Sequence, residues 1–425
     1  ALVDRTGDHA WLAWQLLMLA LTCIALWMIA DMVWRWTGLV IPAITAAIAV
    51  AILPGTLFYS LWLFYTQPVA ALLVVTAWGV VRGCTLQRQS GFLVSVLAMT
   101  GLFLIRSSFV WPVALIWIGA VIWIGSQRLR GDQRSVVPLV IVSAFAFLII
   151  GSLTAKNIVI FGSYTQSSWS AENYGKALIH TMDDAQVQQV TQDNRCFVEL
   201  SSVGSFQPSS HYPICLNSGY ARLDLPASQI LDTPMWSNGD TNFNDRDRLV
   251  LAQAWAQFDS HALRTNPALA VAVLVRSSVT TSHGSIVTFA WPSADYPFLH
   301  PNTDKLGRTG RLWMIGTAWI PLVAMASWIL FSLLSLARVR LRTFAFASYL
   351  LVGGLMAYLG LAYLLLEVGE NQRFQAELDP LAIALGATAI TQIFVHIRQK
   401  RIAHRRSRVP APDRQSSDGI PESRA

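Results

Sequence analysis

Charge is scarce in this sequence. Asp, Glu, Lys and Arg make up 13% of its 425 residues, where a soluble domain carries about 25%. The two or three water-soluble domains that the length alone would allow are therefore excluded. Cysteine is nearly absent too, and four residues are too few for a disulfide scaffold or a Cys-rich metal cluster. His211, His261, His283 and His300 are scattered without HxxxH or HExxH spacing, so no zinc ligand set is present. There is no GxSxG, Walker or dinucleotide pattern and no internal repeat. A pI near 9.4 usually points to nucleic acid. Here the positive charge lies in short turns between apolar runs and in the tail, which excludes that partner.

Apolar residues are abundant. They reach 54% of the chain, with 17 Trp, and the mean hydropathy is +0.45. A membrane crossing takes about 20 mostly apolar residues. Runs that approach this cover residues 11–29, 38–56, 68–81, 91–105, 109–125, 136–153, 312–336, 343–366 and 378–397. The expected fold is an all-α polytopic membrane protein of about nine transmembrane helices. Its organisation is an N-terminal bundle of about six helices (1–153), a water-facing insert of helices and loops (154–311), about three C-terminal membrane helices (312–397) and a basic, disordered tail (398–425).

Alternate turns carry the arginines: Arg35; Arg82 and Arg88; Arg128, Arg130 and Arg134; Arg338, Arg340 and Arg342; then the tail from residue 398. The excess of Arg and Lys marks the cytoplasmic side, so the tail is expected inside and the insert outside. The chain begins at Ala1 on the outward side with no export signal. That leads us to expect a further membrane helix upstream.

Within the insert, residues 171–180 and 183–190 have mild helical patterns. Residues 245–264 have a stronger one, with Asp245 as N-cap and Asn266-Pro267 as its end. Residues 267–289 are apolar on part of their circumference, which predicts a helix along the membrane surface. Cys196 and Cys215 are the only cysteines of the insert, and an outward compartment lets a disulfide persist; two free buried thiols are the alternative.

The polar residues with most to say stand at outer helix ends, where charge near hydrocarbon costs about 2.5–3.5 kcal/mol on insertion scales. Arg106 lies in an otherwise apolar stretch and could hold a lipid phosphate with its guanidinium fork, or pair with an acid of another loop. Glu367, Glu370, Arg373, Glu377 and Asp379 crowd the last outer turn. They form either an anion site centred on Arg373 or a solvated turn. Lys156 and Asn157 precede a stretch, 161–173, whose rings, hydroxyls and amides suit a carbohydrate surface or an interfacial aromatic belt.

Five ordered stretches carry a resemblance to a known superfamily. They are LFYSLWLFYTQP (57–68), RSSF (106–109), KNIVIFGSYTQSSW (156–169), PSADYPF (292–298) and ENQRFQAELDP (370–380). In that order they resemble the GT-C integral-membrane glycosyltransferases, specifically bacterial relatives of the protein mannosyltransferase and aminoarabinose transferase families. The resemblance implies a polyprenyl-phosphate-linked sugar donor and an inverting transfer on the outer face of the bacterial plasma membrane. By it, Arg373 and Arg106 bind the donor phosphate. Lys156, Asn157, Trp169 and Tyr296 line the cavity, and Glu370 positions Arg373. The family's catalytic base belongs to a first outer loop that nothing in residues 1–10 reproduces, so the base is expected upstream of Ala1. The resemblance leaves the sugar and the acceptor open, and metal dependence too, with a divalent cation as the possible cofactor. Two other classes fit the composition: a polytopic transporter or flippase, and a non-catalytic assembly protein that binds a polyprenyl lipid.

Overall fold

The computed structural model describes residues 8–53, 55–57, 66–105, 109–129, 133–161, 169–220, 232–235, 241–242, 245–282, 307–336, 344–366 and 371–407. Among them the chain is helical, with no β-strand beyond one isolated bridge between Met235 and Thr241. The first six helices are α1 (Asp8–Thr37), α2 (Val40–Ala51), α3 (Thr66–Leu86), α4 (Gln89–Ile105), α5 (Trp111–Arg128) and α6 (Gln133–Phe161). The insert follows with α7 (Trp169–Thr181), α8 (Asp184–Thr191), α9 (Arg195–Val203), the short α10 (Pro213–Leu216), α11 (Asp247–Thr265) and α12 (Ala268–Ser282). Three more helices close the chain: α13 (Gly307–Leu336), α14 (Phe344–Leu366) and α15 (Asn371–Ser407).

Five stretches are long and apolar enough to cross a membrane: Leu12–Thr37, Thr66–Leu86, Val136–Val159, Phe344–Leu365 and Ala376–Ile402. Of the other expected crossings, 38–56 and 91–105 fall on apolar helices of 12 and 17 residues, 109–125 on the 18-residue α5 and 312–336 on the 30-residue α13. The shortest is α2, whose 12 residues rise only about 18 Å against a hydrocarbon core of about 30 Å. Its ladder stops at Ile52 and Leu53 because the residue before a proline avoids the helical region, and Pro54 has no N–H to extend the ladder. In contrast, α1 runs past its apolar stretch. Asp31 and Arg35, one turn apart, pair at 2.7 Å, so the helix absorbs two charges and continues to Thr37.

The bundle core is made by α1–α6 with α13–α15. Small residues set its closest crossing. A Cβ on Gly91 of α4 would lie 2.5 Å from the Gly83 nitrogen of α3, and one on Gly79 2.6 Å from the Gly91 carbonyl. Gly79 and Gly83 thus face Gly91 and Ser95 with backbones in contact, the small-xxx-small geometry of membrane helix pairs. Gly386 on α15 approaches Ala324 of α13 in the same way. Hence α15 can pass through the middle of the bundle, with Leu381, Ala382, Ile383, Ala384 and Leu385 all buried.

The ends of α1, α3 and α5, which carry Arg35, Arg82 and Arg128, meet the start of α14 at one end of this bundle. Arg128 donates to the Cys84 carbonyl at 2.9 Å and lies over the ring of Phe344. Trp36 bonds Ser348, and Gln392 bonds the Trp36 carbonyl. Since α5 ends there, α6 carries the chain to the opposite end, where the insert begins.

The insert has its own core, built on Trp255, Phe258, Phe197, Tyr212 and the Cys196–Cys215 disulfide. Asp183 starts α8 with a capping box through Gln186, and the Asn194 side chain caps α9. The N-cap of α11 is Arg246 rather than Asp245; Asp245, one residue earlier, accepts the Asp247 N–H at 3.2 Å and so satisfies the first N–H of the helix. Asn266 ends α11 and bonds the first N–H of α12. α12 turns Leu269 and Val273 into the insert core and leaves Val271 and Val275 exposed. It packs on α7, α14 and α15.

Candidate functional site

The junction between insert and bundle holds the least expected side chains. Glu377 is 0% exposed and Asp379 2% exposed, both in the opening turns of a helix that continues through the bundle core. Tyr363, near the end of α14, donates its hydroxyl proton to Glu377 Oε2 at 2.7 Å. Pro380 follows Asp379 inside the helix and supplies no N–H to the Ala376 carbonyl. Two carboxylates and a released carbonyl thus share the first turns of α15, with the Tyr363 phenol on one of them; α12 packs against both α14 and α15. Buried carboxylates at membrane depth are costly and mark functional sites by default.

A second polar pair lies in the bundle. Gln67, 6% exposed, donates from Nε2 to Thr22 Oγ1 at 2.7 Å, and Thr22 donates in turn to the Met18 carbonyl. This ties α3 to α1, and α3 also packs along α14 and α15. Gln67 lies in one of the resemblance stretches.

The residues singled out from the sequence are placed unevenly. Arg373 falls in the first turn of α15 and Trp169 is the first residue of α7, but the side chains of both lie outside the described residues. Arg106, Tyr296 and Glu370 lie outside them altogether. Lys156 is exposed and Asn157 half-buried near the end of α6, and both are engaged in interactions. α6 packs along α4 and α5, and α15 along α1, α2, α3, α13 and α14. What the described residues do bring together is Tyr363 and Glu377, with Asp379 buried two residues further along α15.

Inside the insert, Glu172 and Arg248 form an ion pair whose side chains are only 4% and 3% exposed. Arg248 Nη1 reaches both carboxylate oxygens, at 3.1 and 3.2 Å, and the Phe206 N–H donates to one of them at 2.5 Å. The other Arg248 nitrogen donates to the Gln207 carbonyl, and Ser209 donates to Asp245. Burial raises the Glu172 carboxyl above its usual range, while Arg248 and the Phe206 N–H pull it back. Glu199 accepts from the backbone of Ile214 and Cys215 at 3.0 and 2.7 Å, which fixes α10 beside α9.

Asp259 is different. It is 8% exposed, its Oδ1 has no hydrogen-bond partner, and burial lifts its carboxyl to about 8. Gly175 on α7 admits this side chain and Trp255: a Cβ there would lie 2.3 Å from Trp255 Cε3 and 2.9 Å from Asp259 Oδ1.

Sequence reading missed Glu172, Arg248 and Asp259 as interior groups. Their only local signal was helical phase, since Asp259 stands one turn from Trp255 on the apolar face of α11. Among the described residues no three His, Cys, Asp or Glu side chains gather closely enough to hold a metal ion. Comparison with protein-family models, with curated proteins and with solved structures yields no match to this chain.

Proposed function

We propose that this chain is a membrane glycosyltransferase that takes a sugar from a polyprenyl-phosphate donor at the outer face of a bacterial plasma membrane. The observation that carries the reading is the junction. Glu377, bonded to Tyr363, and Asp379 are both buried in the first turns of α15, a helix on which α12 of the insert packs and which continues through the bundle. In this reading the chain crosses the membrane nine times, with α2, α4, α5 and α13 completing the five long apolar stretches, the tail inside and the insert outside.

Arg373 stands four residues before Glu377 on the same helix and would hold the donor phosphate together with Arg106. Glu370 would orient Arg373, and Lys156, Asn157, Trp169 and Tyr296 would line the sugar cavity. The acceptor hydroxyl attacks the anomeric carbon from the face opposite the phosphate and loses its proton to a general base. The bond from anomeric carbon to phosphate oxygen breaks, and the guanidinium groups stabilise the departing phosphate. No residue of this chain is assigned the part of base, and a divalent cation is compatible with the same chemistry.

A transporter or flippase is the second reading, favoured by the carboxylates inside the bundle, which proton and ion relays also use. Proteoliposomes carrying polyprenyl-phosphate labelled in its sugar separate the two. Transfer removes label from the lipid onto an envelope acceptor, whereas a flippase moves the intact labelled lipid between leaflets. Leaflet exchange without loss of label would overturn the transferase.

A further inference from the structure

At the basic end of the bundle, away from the junction, two guanidinium groups flank a bonded pair, Asp31 and Trp78: Arg35 on the carboxylate and Arg82 on the indole ring. Asp31 Oδ2 accepts from Arg35 Nε and from Trp78 Nε1, each at 2.7 Å. Arg82 lies over the opposite part of this network, its guanidinium carbon 4.8 Å from the Trp78 ring centre. Arg35 also lies over Trp34, at 5.6 Å. The side chains of Asp31 and Arg35 are only 11% and 12% exposed.

The charges do not balance. Asp31 answers Arg35, and among the described residues Arg82 has no carboxylate partner. Its Nε is buried without a hydrogen-bond acceptor. Arg128, across α3, spends its donors on the Cys84 carbonyl and, with the Gln87 amide turned, on the Gln87 oxygen, so it too keeps its full charge. A guanidinium held on a ring with a buried donor vacant is costly in protein or lipid, and an anion is the natural complement. Around the cluster the surface is apolar: Trp27, Trp34 and Leu86 are 56%, 46% and 40% exposed. Tryptophans at such a level lie where lipid head groups meet hydrocarbon.

We infer that Arg82 and Arg35, braced by Trp78 and Asp31, form a binding site for the phosphate of an anionic phospholipid in the leaflet at the basic end. The indole fixes Arg82 from below while Asp31 fixes both the indole and Arg35. The free edges of the two forks are left for phosphate oxygens, which suit bidentate donors. Trp34 and Trp27 border the acyl chains. This site is separate from the donor site proposed above and does not depend on the transferase reading.

The test is native mass spectrometry of the purified chain released from nanodiscs of equal phosphatidylglycerol and phosphatidylcholine. The expected result is retention of phosphatidylglycerol over phosphatidylcholine by about tenfold, dropping close to parity in Arg82→Gln, as expected for loss of a desolvated charge-assisted contact. Arg88→Gln removes an exposed arginine of the same turn and should change retention by less than about twofold, because diffuse attraction is shared among many charges. Equal losses in the two variants would reduce the site to general surface charge and overturn the proposal. So would equal retention of the two lipids by the unaltered chain, a readout that needs no variant to fold. Excess inorganic phosphate should leave the retained lipid in place; its displacement would assign the site to free phosphate instead.

Discussion

Asp259 shows how a single side chain can couple the insert to pH. Burial raises its carboxyl from 3.8 to about 8, so the folded insert keeps a proton that the unfolded chain releases. Stability is then fully present below about pH 4 and falls as pH rises toward 8, by up to about 1.4 kcal/mol per unit. Glu172 is shifted in the same direction and adds to the slope. Melting the detergent-solubilised protein between pH 5 and pH 8 should show a falling midpoint. Asp259→Asn should flatten that trend, and a midpoint that rises with pH would contradict the account. Arg248 acts by pairing instead. Arg248→Met leaves Glu172 buried without its cation, which costs about 3–5 kcal/mol; a loss under about 1 kcal/mol in chemical denaturation would show that the pair is dispensable. Neither role was legible in the sequence. Glu172 sits in a stretch of rings and hydroxyls that reads as surface, and its burial depends on Arg248, 76 residues away.

The elements were easier to read. Helices ended by strong local signals, such as Asp183 before α8 and Asn266 after α11, fall within a residue or two of their expected bounds. The helix α9 was missed because its apolar face is short, although Asn194 supplied a cap. At two of the bounds that moved, a tertiary or backbone cause is visible: Asp31 with Arg35 prolongs α1, and Pro54 curtails α2; the largest change is at α15, expected over 378–397 and found over Asn371–Ser407. The α3–α4 hairpin depends on glycine for contact rather than for flexibility. Gly91→Val would drive a side chain into the Gly83 backbone, and overpacking of this kind costs about 1–3 kcal/mol. A cysteine pair placed across the hairpin should cross-link in the unaltered chain and fail to do so in the variant. The Cys196–Cys215 bond closes a separation of 19 residues, worth about 3 kcal/mol in the chain-entropy model. Replacing both with alanine should expose α9 and α10 to hydrogen exchange well before α11; uniform exchange across the insert would contradict a local role.

At the scale of the whole molecule, composition spoke for membrane and helix, and the positions of arginine spoke for sidedness. Arg128, Cys84 and Phe344 meet at one end of the bundle, and the insert is entered from the other end of α6. The site was half legible. The sequence marked the turn that contains Arg373, Glu377 and Asp379 as crowded with charge. That Glu377 is buried against Tyr363, and Asp379 buried two residues on, required the packing of α14 and its neighbours on α15, which no local pattern encodes. The account's central claim is that this junction holds a lipid-linked phosphate, and the most direct measurement is the affinity of polyprenyl phosphate for the unaltered chain and for Arg373→Ala in matched nanodiscs. The account predicts saturable binding that weakens by about tenfold or more in the variant, the scale of a lost charge-assisted contact, with the melting midpoint within a few degrees. Binding that is unchanged in Arg373→Ala would contradict it.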